Sequence, residues 1–139
     1  MPVPPPPPQP TAAELAVLQV LWARGPQPVR AVHEALTAEV EADAKPVGYT
    51  TVLKTMQVMH ERGLLAREAD GRRHIYRPAV AQGATQDTLL DAFLARAFGG
   101  SAKQLVMRAL GKHTPSAAEL DELRAFLSDL EDEQNDPQR

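Results

Sequence analysis

The stretch GYTTVLKTMQVMHERGLLAREADGRRHIYRP, residues 48–78, falls into three pieces. The first is a helical run that opens on Tyr49, Thr50 and Thr51 and closes at Gly63, a residue type suited to ending a helix. Within it Val52, Met56 and Met59 stand at i, i+4 and i+7, so they share an inward face. The opposite face carries Thr50, Thr51, Lys54, Gln57 and Val58. LLAREAD and RRHIYRP then flank Asp70-Gly71, a dipeptide that predicts a β-hairpin. Leu65 and Ile75 are its expected inward residues. Met56 and Met59 read as core filling, which suits an unbranched thioether side chain.

The same stretch is where the chain's net charge turns positive. The 139 residues carry a net charge of −3, but residues 45–78 set Lys45, Lys54, Arg62, Arg67, Arg72, Arg73 and Arg77 against only Glu61, Glu68 and Asp70. The segments before and after it are both acidic, at −3 for residues 1–44 and −4 for residues 79–139. For binding, the field at a contact face matters more than the sum. Arg72 and Arg73 would sit at the hairpin tip. Positive charge thus collects where phosphates would lie.

Upstream, TAAELAVLQVLWARG opens with Thr11 and Glu14 at capping-box spacing, and Leu15, Leu18 and Trp22 follow at helical intervals up to Gly25. A second helix restarts after two prolines, with Val29, Val32 and Leu36 on one face. EADAKPVG is a polar connection containing Pro46 and Gly48, both helix breakers. The first ten residues, MPVPPPPPQP, form a proline tract expected to be an extended, disordered tail.

Downstream, helix signals resume at Gln86. Leu90, Phe93, Leu94 and Ala97 share a side before Gly99-Gly100; SAKQLVMRALG reads as a short helix stopped by Gly111. The last helix begins with a second capping box, Ser116 and Glu119. Leu120, Leu123, Leu127 and Leu130 follow as a seam, with Asp121 and Glu122 near the positive end of the helix dipole.

Three helices, a hairpin and three more helices give a fold that is mainly α with a small β-hairpin wing. The expected domains are a tail at 1–10, a winged helix-turn-helix at 11–80 and a helical dimerisation region at 81–139. In such a fold a helix with a polar outer face enters the DNA major groove. Thr50 and Thr51 supply hydrogen-bonding groups, Lys54 reaches a guanine edge or a phosphate, and Val58 suits a thymine methyl. The stripes at Leu90, Phe93 and Leu94 and at Leu120, Leu123, Leu127 and Leu130 exceed what one small core covers. They are expected to pair about a two-fold axis. The alternative is a winged helix used only for protein contacts; a DNA binder differs in losing affinity steeply with salt.

Other classes fit less well. The chain has no cysteine, which removes disulfides, thiolate metal sites and cysteine nucleophiles. His33, His60, His74 and His113 form no HExxH pair, and no phosphate-binding loop or nucleophile elbow is present. No enzyme activity, metal or other cofactor is expected. No apolar run reaches the roughly 18 residues of a membrane span, and the N-terminus lacks a charged-then-apolar pattern. A soluble cytoplasmic protein is the expectation.

The segments TAAELAVLQVLW, GYTTVLKTMQVMHERGLL, GRRHIYRP, FGG and AAELDELRAFL, in this order and spacing, resemble the penicillinase-repressor family, BlaI/MecI/CopY. The resemblance covers nearly everything after the proline tract. It implies a cytoplasmic dimeric repressor that binds inverted-repeat operator DNA through residues 47–60. By position, Tyr49, Thr50, Thr51 and Lys54 match the residues with which the family reads bases and phosphates. Leu53 and Lys54 stand where other members carry different residues, so an operator sequence does not carry over. Copper response through C-terminal cysteines is excluded by composition. In β-lactam-responsive members a membrane sensor-protease cuts after the Gly-Gly, in a segment like Leu-Val-Leu-Asn-Phe. Here the matching residues are LVMRA, which would put the bond at Arg108–Ala109 with Arg-Ala in place of Asn-Phe.

Overall fold

A computed structural model describes residues 8–38 and 47–135. Residues 1–7 of the proline tract and residues 41–46 of the polar connection lie outside the described residues. The elements are α1 (Ala12–Arg24), β1 (Gln27–Pro28), α2 (Val29–Ala38), α3 (Tyr49–Glu61), β2 (Leu65–Asp70), β3 (Arg73–Pro78), α4 (Gln82–Phe98), α5 (Ala102–Lys112) and α6 (Ala117–Gln134). The fold is mainly helical with one small antiparallel sheet, a winged helix followed by helices. The chain divides into two compact units, Met1–Leu90 and Asp91–Arg139.

In the first unit, α1 starts at a complete capping box. The Thr11 hydroxyl accepts from the Glu14 N–H (3.2 Å), and the Glu14 carboxylate accepts from the Thr11 N–H (2.9 Å). The buried stripe of α1 is Val17, Leu18 and Leu21, with Val20 beside it. Leu15 and Trp22, expected with Leu18, lie at its edges and are only half-buried. The Trp22 indole N–H donates to the Val80 carbonyl (3.2 Å), which ties α1 to the chain beyond the hairpin.

Helix α3 ends in a Schellman motif. The Leu64 N–H bonds the Met59 carbonyl (2.8 Å) and the Gly63 N–H bonds that of His60 (3.2 Å). Gly63 has φ +82°, which a side chain would strain. The motif turns the chain so that Leu64 and Leu65 drop into the core, at 0% and 2% exposure.

The hairpin departs from expectation by one residue. Asp70 pairs with Arg73, so the two loop residues are Gly71 and Arg72 rather than Asp70 and Gly71. Gly71 alone has positive φ, the requirement at the first central position of a II′ turn. The register places Leu65 opposite Pro78 and Arg67 opposite Tyr76. Side chains alternate along a strand, so Leu65, Tyr76 and Pro78 share the inner face, whereas Ile75 takes the other. Tyr76 is accordingly buried to 1% exposure; Ile75, expected inward, is half-buried.

The sheet has a third strand that the sequence reading did not anticipate. Gln27 pairs with Tyr76 and Pro28 with Ile75, giving the order β1-β3-β2. Pro28 is tolerated because β1 is a short edge strand. The core joins Leu18 and Leu21 of α1, Val32 of α2, Val52, Met56 and Met59 of α3, and Leu64, Leu65 and Tyr76 of the hairpin region.

Helix α4 begins at Gln82, four residues ahead of the expected Gln86, and its one buried residue is Thr85. In the second unit, α5 is capped by Ser101, whose hydroxyl accepts from the Gln104 N–H (3.2 Å). It runs through Gly111 to Lys112, so Gly111 does not stop it. Helix α6 starts at the expected capping box, with Ser116 and Glu119 bonded reciprocally at 3.0 and 3.1 Å. Neither α5 nor α6 has a buried residue.

Candidate nucleic-acid interface

The α3 helix is held from behind. Val52, Met56 and Met59 are at 2%, 0% and 0% exposure. Thr50, Thr51, Lys54, Gln57 and Val58 all stand exposed on the other side, as the spacing required, and Tyr49 is exposed at the helix start. Thr55 is not part of that face, since its hydroxyl folds back to donate to the Thr51 carbonyl (2.8 Å). Gly48, the N-cap, offers no side chain to the first turn. The N–H groups there suit an anionic oxygen.

A shallow groove of about 380 Å³ lies between this helix, the start of α2 and the hairpin, and its walls include Arg30, Tyr49, Gln57, Arg72, Arg73 and His74. Arg30 is the residue that sequence reasoning missed. It belongs to the acidic first segment of the chain, and only the β1–β3 pairing brings the start of α2 beside the hairpin. No local pattern announces a two-residue strand whose partners, Tyr76 and Ile75, lie 49 and 47 positions away.

The start of α3 has a further support. His33 Nε2 lies 2.9 Å from the Val47 carbonyl oxygen, which can only accept, so the ring nitrogen donates. The same ring meets Tyr49 edge-on, with centroids 5.7 Å apart. Helix α2 thereby fixes both the entry to α3 and the ring at its first position.

The positive charge of residues 45–78 is partly spent inside the molecule. Arg62 forms an ion pair with the buried Glu14 and donates to the Gln9 carbonyl (3.1 Å). Burial pushes the Glu14 carboxyl up, but the Arg62 and Thr11 hydrogen bonds, with the Arg62 charge, outweigh it and hold the group below its ordinary value. Arg73 bonds Asp70 at 3.2 Å, both side chains being exposed, and Arg67 points to the Tyr76 hydroxyl (3.5 Å). Arg30, Lys54, Arg72 and Arg77 have no ion-pair partner among the described residues. Arg30, Lys54 and Arg72 border the two grooves that flank the outer face of α3.

The residues expected at a dimer interface stand largely uncovered. Leu90, Phe93, Leu127 and Leu130 are 46%, 54%, 56% and 40% exposed, and Leu94, Leu120 and Leu123 are half-buried. Arg108 and Ala109 lie in the middle of α5, both exposed. Among the described residues no group of three or more His, Asp or Glu is placed to hold a metal ion. No described helix is long and apolar enough to cross a membrane.

Comparison with known proteins bears on the same residues. The family model described as penicillinase repressor matches residues 10–129. Two curated relatives, both named Transcriptional regulator BlaI, come from Mycobacterium tuberculosis strains CDC 1551 / Oshkosh and ATCC 25618 / H37Rv. Each is 34% identical to this chain over 119 residues, 85% of this chain and 82% of the relative. The crystal structure of a probable transcriptional regulator from Pseudomonas aeruginosa matches with a TM-score of 0.41 and 25% identity, over 86% of this chain and 77% of that one.

Proposed function

Because the chain belongs to the penicillinase repressor family, we propose that it is a cytoplasmic transcriptional repressor that binds an inverted-repeat operator in double-stranded DNA as a homodimer. The observation that carries this is the polar face of α3, exposed over three anchors that are almost wholly buried. Thr50, Thr51, Lys54, Gln57 and Val58 read base edges in the major groove, and Tyr49 contacts the adjoining backbone. Arg72 and Arg73 at the hairpin tip meet phosphates, joined by Arg30 from α2. Arginine offers forked donors for that contact.

Leu90, Phe93, Leu94, Leu120, Leu123, Leu127 and Leu130 pair the two copies. Dimerisation makes the second half-site contact intramolecular, which raises avidity by about two to four orders of magnitude. Cutting in α5, with Arg108–Ala109 as the bond, separates α6 from the reading heads and releases DNA. An exposed helix without buried side chains opens at little cost, which suits a protease such as a membrane sensor-protease.

Selection of bound sequences from a random duplex pool tests the reading. The expected outcome is a palindromic consensus. Lys54→Ala then costs about 1–3 kcal/mol on that consensus if Lys54 reads a base, and weakens all sequences alike if it holds a phosphate. Unchanged affinity in both Lys54→Ala and Thr51→Ala would sink the recognition-helix assignment.

A further inference from the structure

The two ends of α3 are held differently. At the C-terminal end the bonds to the Met59 and His60 carbonyls and the ion pair of Arg62 with Glu14 fix the chain. At the N-terminal end Gly48 caps the helix without a side-chain bond. That end carries Tyr49, Thr50 and Thr51, three of the residues that meet DNA in the function above. Helices α2 and α3 pack together, and Val32 and Ala35 on α2 share one apolar core with Val52 and Met56 on α3. Apolar contact is non-directional, so it brings two helices close without fixing where one turn stands against the other. Among the described residues a single hydrogen bond joins α2 to the start of α3, the 2.9 Å bond from His33 Nε2 to the Val47 carbonyl.

His33 makes a second contact at the same time. Its ring meets Tyr49 with centroids 5.7 Å apart and planes at 85°. Edge against face is an arrangement that aromatic pairs prefer, so it restricts where the Tyr49 ring can lie. Tyr49 is 46% exposed and walls the groove that Arg30 also borders. Arg30 and His33 stand three residues apart on α2 and are neighbours on its surface. Arg30 is exposed and His33 half-buried, while Val32 and Ala35 beside them are anchored in the core. One fixed helix thus offers an unpaired guanidinium to a phosphate and grips the first residue of the reading helix.

We propose that His33 is a positioning residue for sequence discrimination: it touches no base, but it sets Tyr49 and the first turn of α3 in register with the phosphate contact of Arg30. This rests on the DNA-binding reading above and names what sharpens it. Backbone contacts fix the register of a protein on a duplex, and base contacts read sequence only in that register. Without His33, α3 still meets the major groove, but Thr50 and Thr51 are held less tightly over their base edges. The loss falls on the cognate sequence and largely spares general affinity for DNA.

Fluorescence anisotropy of two labelled duplexes, titrated with the full-length chain, tests this. One duplex is the consensus selected from the random pool; the other is a scrambled sequence of the same length and composition. His33→Ala is expected to bind the consensus about 5- to 50-fold more weakly, the equivalent of about one base contact, and the scrambled duplex within about twofold of the parent. In a Tyr49→Ala background the same substitution is expected to cost about threefold or less, because the residue through which His33 acts is gone. His33→Gln keeps a donor at the reach of Nε2, and His33→Phe keeps the ring edge, so each should recover part of the loss. Equal weakening on both duplexes overturns the proposal, since a purely structural role has that result. A loss that persists in full without Tyr49 also overturns it, by placing His33 on the DNA itself. So does a failure of both conservative variants to recover any affinity. A parent that selects no consensus overturns the DNA-binding reading, a result distinct from all of these. The free parent provides a check that needs no variant. Ring protons of His33 and Tyr49 should show a nuclear Overhauser contact, and its absence would remove the contact on which the positioning role stands.

Discussion

Leu18 and Leu127 each lie on a helix opened by a complete capping box, Thr11 with Glu14 in one case and Ser116 with Glu119 in the other. Leu18 is fully buried and Leu127 is 56% exposed. The local chemistry that starts the two helices is the same, so it cannot account for the difference. What separates them is tertiary. Met1–Leu90 brings three helices and a sheet together over Leu18. In Asp91–Arg139 no side chain of α5 or α6 is buried. A capping box therefore tells where a helix begins and nothing about what will cover it. The first unit carries its own core, and the second has a surface built for one.

The largest effect should come from separating the units. A fragment ending at Leu90 keeps Trp22 bonded to Val80 and Thr85 buried, so it is a better cut than one at the end of the hairpin. It should fold, run as a monomer and bind the operator about two to four orders of magnitude more weakly than the full chain. Equal affinity in a filter-binding titration would break the comparison, because the second unit would then contribute nothing to the first.

Core truncation sharpens it next. Leu18→Ala should destabilise the first unit by about 2–5 kcal/mol, measured by urea unfolding. Leu127→Ala should leave that transition in place and weaken self-association instead. If both substitutions lower the same unfolding midpoint, the two units share one cooperative transition.

A smaller effect belongs to the ion pair between α1 and the end of α3. Arg62→Ala leaves the Glu14 carboxylate buried without its partner and should cost about 1–3 kcal/mol, since a buried charged group loses its hydrogen bond. Glu14 binds its proton less readily folded than unfolded, where the ordinary value is 4.5. Its contribution is therefore complete above that value and is lost as pH falls through the lower folded one. Glu14→Gln should flatten the acid side of the stability profile below about pH 4.5. An unchanged acid limb would mean that the pair is open in solution.

The two caps give a matched test of about equal local size. Thr11→Ala should cost about 0.5–2 kcal/mol in the unfolding of the first unit. Ser116→Ala removes the same kind of bond, but its cost should surface in the association constant. The smallest difference is at the hairpin tip. Arg72→Ala should lower the salt slope of DNA binding by about one counterion, and Arg73→Ala by less because Asp70 already holds that guanidinium. Equal slopes would show that DNA pulls Arg73 off Asp70.

What could be read from the sequence follows the range of each interaction. Capping boxes, the inward face of α3 and the break at Gly63 act within a few residues, and the pattern located them. Leu65 and Ile75 are both expected inward, yet across an antiparallel hairpin with a two-residue loop Leu65 faces even-numbered residues of the partner strand whether the loop is Asp70-Gly71 or Gly71-Arg72, so Tyr76 and Pro78 share its face and Ile75 does not. The Glu14–Arg62 pair was hidden for a different reason. Glu14 already had a local role in the capping box, and its second partner lies 48 residues away. Arg30 was hidden by β1, whose two residues include a proline that argues against a strand. The exposed stripes of the second unit were visible as stripes, but exposure itself depends on what the rest of the chain fails to cover.

The indole of Trp22 has a practical consequence. It is the chain's one tryptophan, and both tyrosines, Tyr49 and Tyr76, also lie before Leu90. Every strong near-ultraviolet chromophore is thus on one side of the division. Intrinsic fluorescence will report the melting of the first unit and remain blind to the second, while far-ultraviolet dichroism sees the helices of both. Recording the two signals on one heated sample would separate the transitions optically, with no label and no cut in the chain.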